Sequence, residues 1–169
     1  MDFIIETDRL FLKKLDIEDF RFVITLLNSP GWLQYIGDRK VKNEEQAINY
    51  LQTGPLKSYA DHGFGLYKVE EKISCLPVGF CGLLKRDTLN HPDLGFAFLP
   101  EFIGKGFGHE AAHAIVEFAK TGLGIAVLQA IALPDNMPSI RLLKKLGFHY
   151  QRPFRFLEGN ELTLFELHL

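Results

Sequence analysis

The chain has 169 residues, 47 % hydrophobic and 24 % charged, with a formal net charge of −2. That is enough for one domain with a real core, and too near neutral for broad affinity toward nucleic acid or an anionic membrane surface. Cys75 and Cys81 form no CxxC pair, which leaves a disulfide framework or cysteine-rich zinc site unsupported. No apolar run reaches membrane-spanning length and no secretory signal precedes Thr7, so a cytoplasmic protein is expected.

Arg9 to Leu15 reads as a first strand, with Leu10 and Leu12 on one face. Asp16 is placed to cap a helix to about Asn28, which Ser29-Pro30-Gly31 ends. The following Trp32–Asp38 stretch reads as irregular and rich in large amphipathic side chains. Asn43 caps a second helix with Glu44 and Glu45 in its first turn, extending to about Tyr59 with an end or kink at Gly54-Pro55. Three strands follow, Gly65–Glu70, Val78–Lys85 and Asp93–Phe98, separated by turn chemistry at Glu71-Lys72 and Asn90-His91-Pro92. A helix over Phe107–Lys120 buries Ala111, Ala112, Ile115, Phe118 and Ala119. Ile125–Leu133 is a continuous apolar strand suited to mid-sheet. A short helix from Asn136 stops at Gly147, and Phe148–Arg152 and Leu162–His168 close the sheet. The alternation describes a mixed α/β (α+β) fold in a single domain over residues 1–169.

The segment joining the third of those middle strands to its helix carries the chemistry. Gly104, Gly106 and Gly108 alternate between an apolar strand and a helix start. Glycines bare backbone N–H groups there, and the helix N-terminus adds partial positive charge, which together make a trap for phosphate or pyrophosphate. Two common nucleotide readings fail. G-x-x-x-x-G-K-[ST] is absent, and the acidic ribose ligand that a dinucleotide fold needs about 20 residues on falls in Ile125-Ala126-Val127-Leu128.

A second constellation, Asn136-x-x-Ser139-x-x-Leu142 with Gly147-Phe148, follows the glycine loop at a fixed interval. The loop pattern and this Asn motif, with Thr7-Asp8-Arg9-Leu10 at the start and Asp93-Leu94-Gly95-Phe96 before the loop, resemble the GNAT superfamily of acetyl-CoA-dependent N-acetyltransferases. With Tyr35-Ile36-Gly37-Asp38-Arg39, they resemble in particular its ribosomal-protein N-terminal (RimJ/RimL-like) branch. The resemblance implies a GNAT-like domain, its central mixed, mostly antiparallel twisted sheet having about 6–7 strands with about four flanking helices. It also implies acetyl-CoA as cosubstrate without a metal, and an amine acceptor: a protein N-terminus first, a small-molecule amine next. A monomer or homodimer is expected, with no nucleic acid or membrane partner. Where the family often has Gln or Arg at the first loop position, this chain has Ile103, leaving phosphate contacts to the backbone and Lys105.

The implied cofactor contacts are Phe98 and Leu99 on the strand, Gly104, Lys105, Gly106, Phe107, Gly108 and His109 at the loop and helix start, and Asn136 and Ser139. An amine attacks a thioester directly, so no protein nucleophile is required. A base, a carbonyl-oxygen donor and a proton for the departing thiolate are. Asp93 stands where the branch often has its carboxylate base, or simply finishes a turn. The family's tyrosine acid is replaced by Leu143, and Ser139 matches the serine assigned to the thiolate, or is a helix-start residue. Asn136 bonds the cofactor, caps its helix, or both. Trp32, Tyr35 and Arg39 fall where the branch shapes its acceptor pocket.

Two alternatives stay open. One is a CoA-binding or regulatory domain without turnover. The other is zinc hydrolysis at His109-Glu110-Ala111-Ala112-His113, an H-E-x-x-H on a predicted helix.

Overall fold

The computed structural model describes residues 2–156 and 159–169. Eight strands form one sheet in the order β1-β2-β3-β4-β5-β6-β8-β7. They are β1 (Ile5–Glu6), β2 (Leu10–Lys14), β3 (Leu66–Glu71), β4 (Pro77–Leu84), β5 (Asp93–Phe98), β6 (Val127–Ala132), β7 (His149–Arg155) and β8 (Glu161–His168). Six α-helices accompany them: α1 (Phe20–Leu27), α2 (Pro30–Tyr35), α3 (Glu44–Thr53), α4 (Pro55–His62), α5 (Phe107–Thr121) and α6 (Met137–Lys145). The mixed, mostly antiparallel sheet is as expected, with the two-residue β1 added at its edge.

The helices are more numerous than the pattern predicted, for two local reasons. The first helix ends at Leu27 ahead of Ser29-Pro30, as expected, but Pro30 also opens a new one, α2, at a position where its missing N–H costs nothing. Trp32 and Tyr35 therefore stand on a helix rather than in irregular chain. Gly54-Pro55 breaks the second helix outright into α3 and α4, Gly54 being the C-cap of one and N-cap of the other.

Each face of the sheet carries its own core. On one, Leu94, Leu128 and Ala130 pack against Ala111, Ala112 and Ile115 of α5 and Ile140 and Leu143 of α6. On the other, Leu66, Phe80 and Leu99 pack against Val23, Leu26, Trp32, Ala47 and Leu51 from α1, α2 and α3. The result is a helix–sheet–helix sandwich, in which loops at the strand ends are left to carry function.

All neighbouring strands pair antiparallel except β5 and β6, which are parallel and joined by the α5 crossover that a parallel pair requires. Their pairing has a single register position, Asp93 opposite Gln129, secured by Gln129 N–H donating to Pro92 O at 2.9 Å. The outer flanks are paired along their length: Asp93–Phe98 on β4, and Val127–Ala132 on β8. From the Asp93/Gln129 vertex the two strands diverge, and the sheet is split down its middle.

Candidate active site

The split creates two unpaired strand edges inside the molecule, where backbone polar groups normally find partners. Parity decides which groups of β5 face the gap. Leu99 N–H donates to Val78 O at 2.9 Å, on the β4 side, whereas Pro92 O accepts from Gln129 on the β6 side. Alternation along the strand then turns the C=O of Leu94 and the N–H and C=O of Phe96 and Phe98 into the opening, the Leu94 N–H being spent on the bridge to Gln129. Phe98 can thus offer its N–H to a ligand carbonyl. Leu99 cannot, since its N–H is committed to Val78 and its side chain is core. Of the two residues expected at that position, the structure brings only Phe98 to the gap.

A cleft of about 880 Å³ fills the split, lined along β5 by Leu94–Phe98 and along β6 by Ile131 and Ala132. It lies between the diverging C-terminal parts of two parallel strands and opens at their C-terminal ends, where open α/β sheets bind ligands. Both following helices point their N-termini at it. Gly106 is the N-cap of α5 in a left-handed conformation, φ +82°, and Gly104 has φ +82° as well. L-side chains avoid that region, so the loop requires glycine at both positions, and its bared amides form an anion-binding concavity. Gly104, Gly106, Phe107 and Gly108 line the cleft. Lys105 and His109 stand outside its wall. Lys105 Nζ lies 5.1 Å from the Phe102 ring centroid, and His109 stacks on His113 at 6.0 Å.

At the second helix, Asn136 Oδ1 accepts from Ser139 N–H at 3.3 Å, capping α6. Both residues line the cleft, with Pro138, Leu142 and Leu143 behind them. The Ser139 hydroxyl is therefore beside a capped helix N-terminus, where a developing anion is favoured.

Asp93, at the vertex, is 1 % exposed and lines the same cleft. Burial pushes its carboxyl up to about 6, against the pull of Arg86, whose Nε donates to Oδ1 at 3.1 Å and Oδ2 at 3.3 Å. A carboxylate with that affinity for protons is a far better base than an ordinary aspartate. Composition gave no hint of Arg86. The hairpin did, because Leu84 pairs with Asp93 and places Arg86 just beyond it.

Trp32, Tyr35 and Arg39 all line the cleft, as expected for an acceptor wall, and Tyr50 of α3 joins them. Burial pushes the Tyr50 hydroxyl up to about 12, and both Arg39 and Arg86 pull it the other way.

The Thr7-Asp8-Arg9 segment has a mechanical role that its sequence did not disclose. Arg9 Nη1 donates to Lys105 O at 2.9 Å, tying down the glycine loop, and its guanidinium lies 4.7 Å from the Phe107 ring centroid. Its Nε and Nη2 grip Glu110 Oε2 at 2.7 and 2.6 Å, while Thr7 Oγ1 donates to Oε1 at 2.6 Å. Burial alone would raise the Glu110 carboxyl, but these hydrogen bonds hold it below the usual range. The glutamate of the H-E-x-x-H segment is thus a structural anchor for the loop. Among the described residues, no cluster of three or more His, Cys, Asp or Glu side chains could hold a metal ion.

The family model for the Acetyltransferase (GNAT) domain matches residues 9–149. The chain belongs to the GNAT acetyltransferase family. The N-acetyltransferase YoaA of Bacillus subtilis is 27 % identical over 154 residues, covering 90 % of this chain and 86 % of that protein. N-acetyltransferase p20 of Bacillus licheniformis is 25 % identical over 167 residues, covering 96 % and 92 %. Among solved structures, a GnaT-family acetyltransferase from Bordetella pertussis superposes with a TM-score of 0.81 at 24 % identity, covering 96 % of this chain and 97 % of that one. RimL, a ribosomal L7/L12 alpha-N-protein acetyltransferase in complex with coenzyme A, superposes at 0.85 with 15 % identity, covering 99 % and 98 %. The GNAT domain is an N-acetyltransferase using acetyl-CoA, and its residues fit that group: a free strand edge for an amide-bearing arm, and a left-handed glycine loop for a pyrophosphate. No helix of the described residues is long and apolar enough to cross a membrane.

Proposed function

We propose that this GNAT domain acetylates a primary amine, foremost the α-amine of a protein N-terminus, by direct attack within a ternary complex. One observation carries the reading. The β5/β6 split joins a phosphate-binding glycine loop at its open end to a buried, proton-hungry carboxylate at its vertex. RimL, whose fold superposes over nearly all of this chain, is an alpha-N-protein acetyltransferase. The proposal extends that acceptor type to this protein, with a small-molecule amine as the next choice. The exposed thiol of Cys75 suits a reducing cytoplasm as the place of reaction.

Acetyl-CoA supplies an activated thioester, so the protein supplies position, a base and charge stabilisation. Backbone N–H groups of Gly104 to Gly108 hold the pyrophosphate, and the free edge of β5 next to the loop holds the arm. Phe98 N–H donates to the thioester oxygen as charge develops there. As the amine nitrogen bonds to the carbonyl carbon and the carbon–sulfur bond breaks, the amine proton passes to Asp93 through water in the cleft, because Asp93 and Phe98 stand at opposite ends of the six-residue strand β5. Ser139 hydrogen-bonds the departing thiolate. An α-amine titrates near about 8, so a base at about 6 has little left to do, and much of the rate comes from positioning.

The test is calorimetric titration of the protein with acetyl-CoA, beside the Gly106→Asp variant, followed by thiol release with N-terminal peptides. Micromolar binding lost in the variant, with thiol released only when an amine is present, is expected. A folded protein that binds no acetyl-CoA refutes the cofactor site. Binding without release to any amine refutes turnover and leaves a CoA-binding module.

A further inference from the structure

The charged side chains that line the cleft are Arg39, Lys57, Lys85 and Arg86 against Asp61 and Asp93. Both acids are already spoken for. Lys57 Nζ pairs with Asp61 at 2.5 Å and Arg86 Nε with Asp93 at 3.1 Å. Arg39 and Lys85 are left with no carboxylate partner among the described residues. This excess does not serve the pyrophosphate, because the loop end of the cleft is walled by glycines and Phe107 while Lys105 turns to Phe102. Lys85 sits at the vertex end, beside the Arg86 that pairs with Asp93, and Arg39 lines the acceptor wall of the same cleft. The same wall holds a neutral donor in need of an acceptor. Trp32 is 6 % exposed, and its indole Nε1 has no hydrogen-bond partner. Buried donors are rarely left so, because an unmet one is costly.

We propose that the acceptor amine carries a carboxylate close to it, and that Arg39 is the residue that recognises it. This rests on the acetyl-transfer reading and narrows its substrate class. A guanidinium offers forked donors that match a carboxylate's two oxygens, and the neighbouring uncompensated charge of Lys85 adds long-range attraction. The same field repels polyamines, the cationic alternative for a GNAT cleft. The carboxylate has two sources: an acidic side chain early in a protein N-terminus, or a small amino acid.

The experiment uses protein saturated with CoA, so that acceptor binding is measured without turnover. Calorimetry compares the amidated peptides Ala-Glu-Ala and Ala-Gln-Ala, free glutamate against glutaminamide, and spermidine. At least one acidic member is expected to bind about fivefold or more tighter than its neutral match, with the difference falling below about twofold in Arg39→Gln. Which pair shows the preference separates the two sources. Neutral members binding as tightly as acidic ones, spermidine binding best, or a preference that survives Arg39→Gln overturns the proposal. Thiol release on the acetyl-CoA-loaded protein is read in parallel. If acidic preference is present and no acceptor releases thiol, acetyl transfer fails while the recognition stands.

Discussion

Replacing Asp93 by Asn tests whether a buried carboxylate is held at the vertex for function at a cost in stability. Asp93 is 1 % exposed and its carboxyl moves from 3.8 to about 6 through burial, opposed by Arg86. A folded-state value raised above the unfolded one means that the native protein binds the proton more tightly. The associated stability is therefore full below about pH 4 and is lost as pH rises through about 6. Over that interval the wild type gives up about 3 kcal/mol that an asparagine of the same shape does not. Little of this is screened, because the group is out of water, and the partly exposed Arg86 can still donate to the Asn oxygen. Urea unfolding of both proteins between pH 4 and pH 8 should show the variant gaining by about that amount, about 6–12 °C in melting temperature. Activity should move the opposite way but modestly, falling less than about tenfold because the base has little to do, with loss of the acid limb near pH 6. A stability difference that stays flat with pH would refute the burial argument. An undiminished rate would remove Asp93 from the chemistry.

Further perturbations address the two helix N-termini. Ser139→Ala should lower kcat about tenfold while leaving the KM for acetyl-CoA nearly unchanged, since the hydroxyl is needed at the thiolate and not in the bound ground state. A larger rise in KM than fall in kcat would assign Ser139 to binding instead. Arg9→Ala removes a charged hydrogen bond to Lys105 O and an ion pair to Glu110 that is discounted because Arg9 is half exposed. A loss of about 1.5 kcal/mol is expected, lowering the melting temperature by about 3–6 °C. Acetyl-CoA should bind several-fold more weakly by calorimetry, and unchanged affinity would show that the glycine loop holds its shape without the clamp.

Much of the site was legible because its pieces are local. Alternating glycines before a helix, and an Asn three residues ahead of a Ser, specify backbone conformations that depend on a few neighbouring residues. The structure shows both, as left-handed turns at Gly104 and Gly106 and as the Asn136–Ser139 cap. Helix α2 was missed because Pro30 closes one helix and opens the next, and the Trp32–Tyr35 stretch is too short to carry a helical period, its Trp32 packing edge-on to Phe80 across the core.

Other features had no local signal. Leu99 was separated from Phe98 by strand parity, which depends on the register of β5 against β4. Arg39, Tyr50 and the Arg86–Asp93 hairpin come from three separate segments and line one cleft only when the helices close over the sheet. His109-Glu110-Ala111-Ala112-His113 matched a metal pattern as a remote alternative, and the structure shows its glutamate held by Arg9, over a hundred residues away in the chain.

What the sequence determined by itself was the family, the acetyl donor and the left-handed glycine turn ahead of α5, because short-range motifs and backbone chemistry carry them. The tertiary structure alone decided which strand edge is free, how acidic Asp93 is and what charge faces the acceptor. Those properties arise from burial and from long-range pairing, and no segment of the chain holds them on its own.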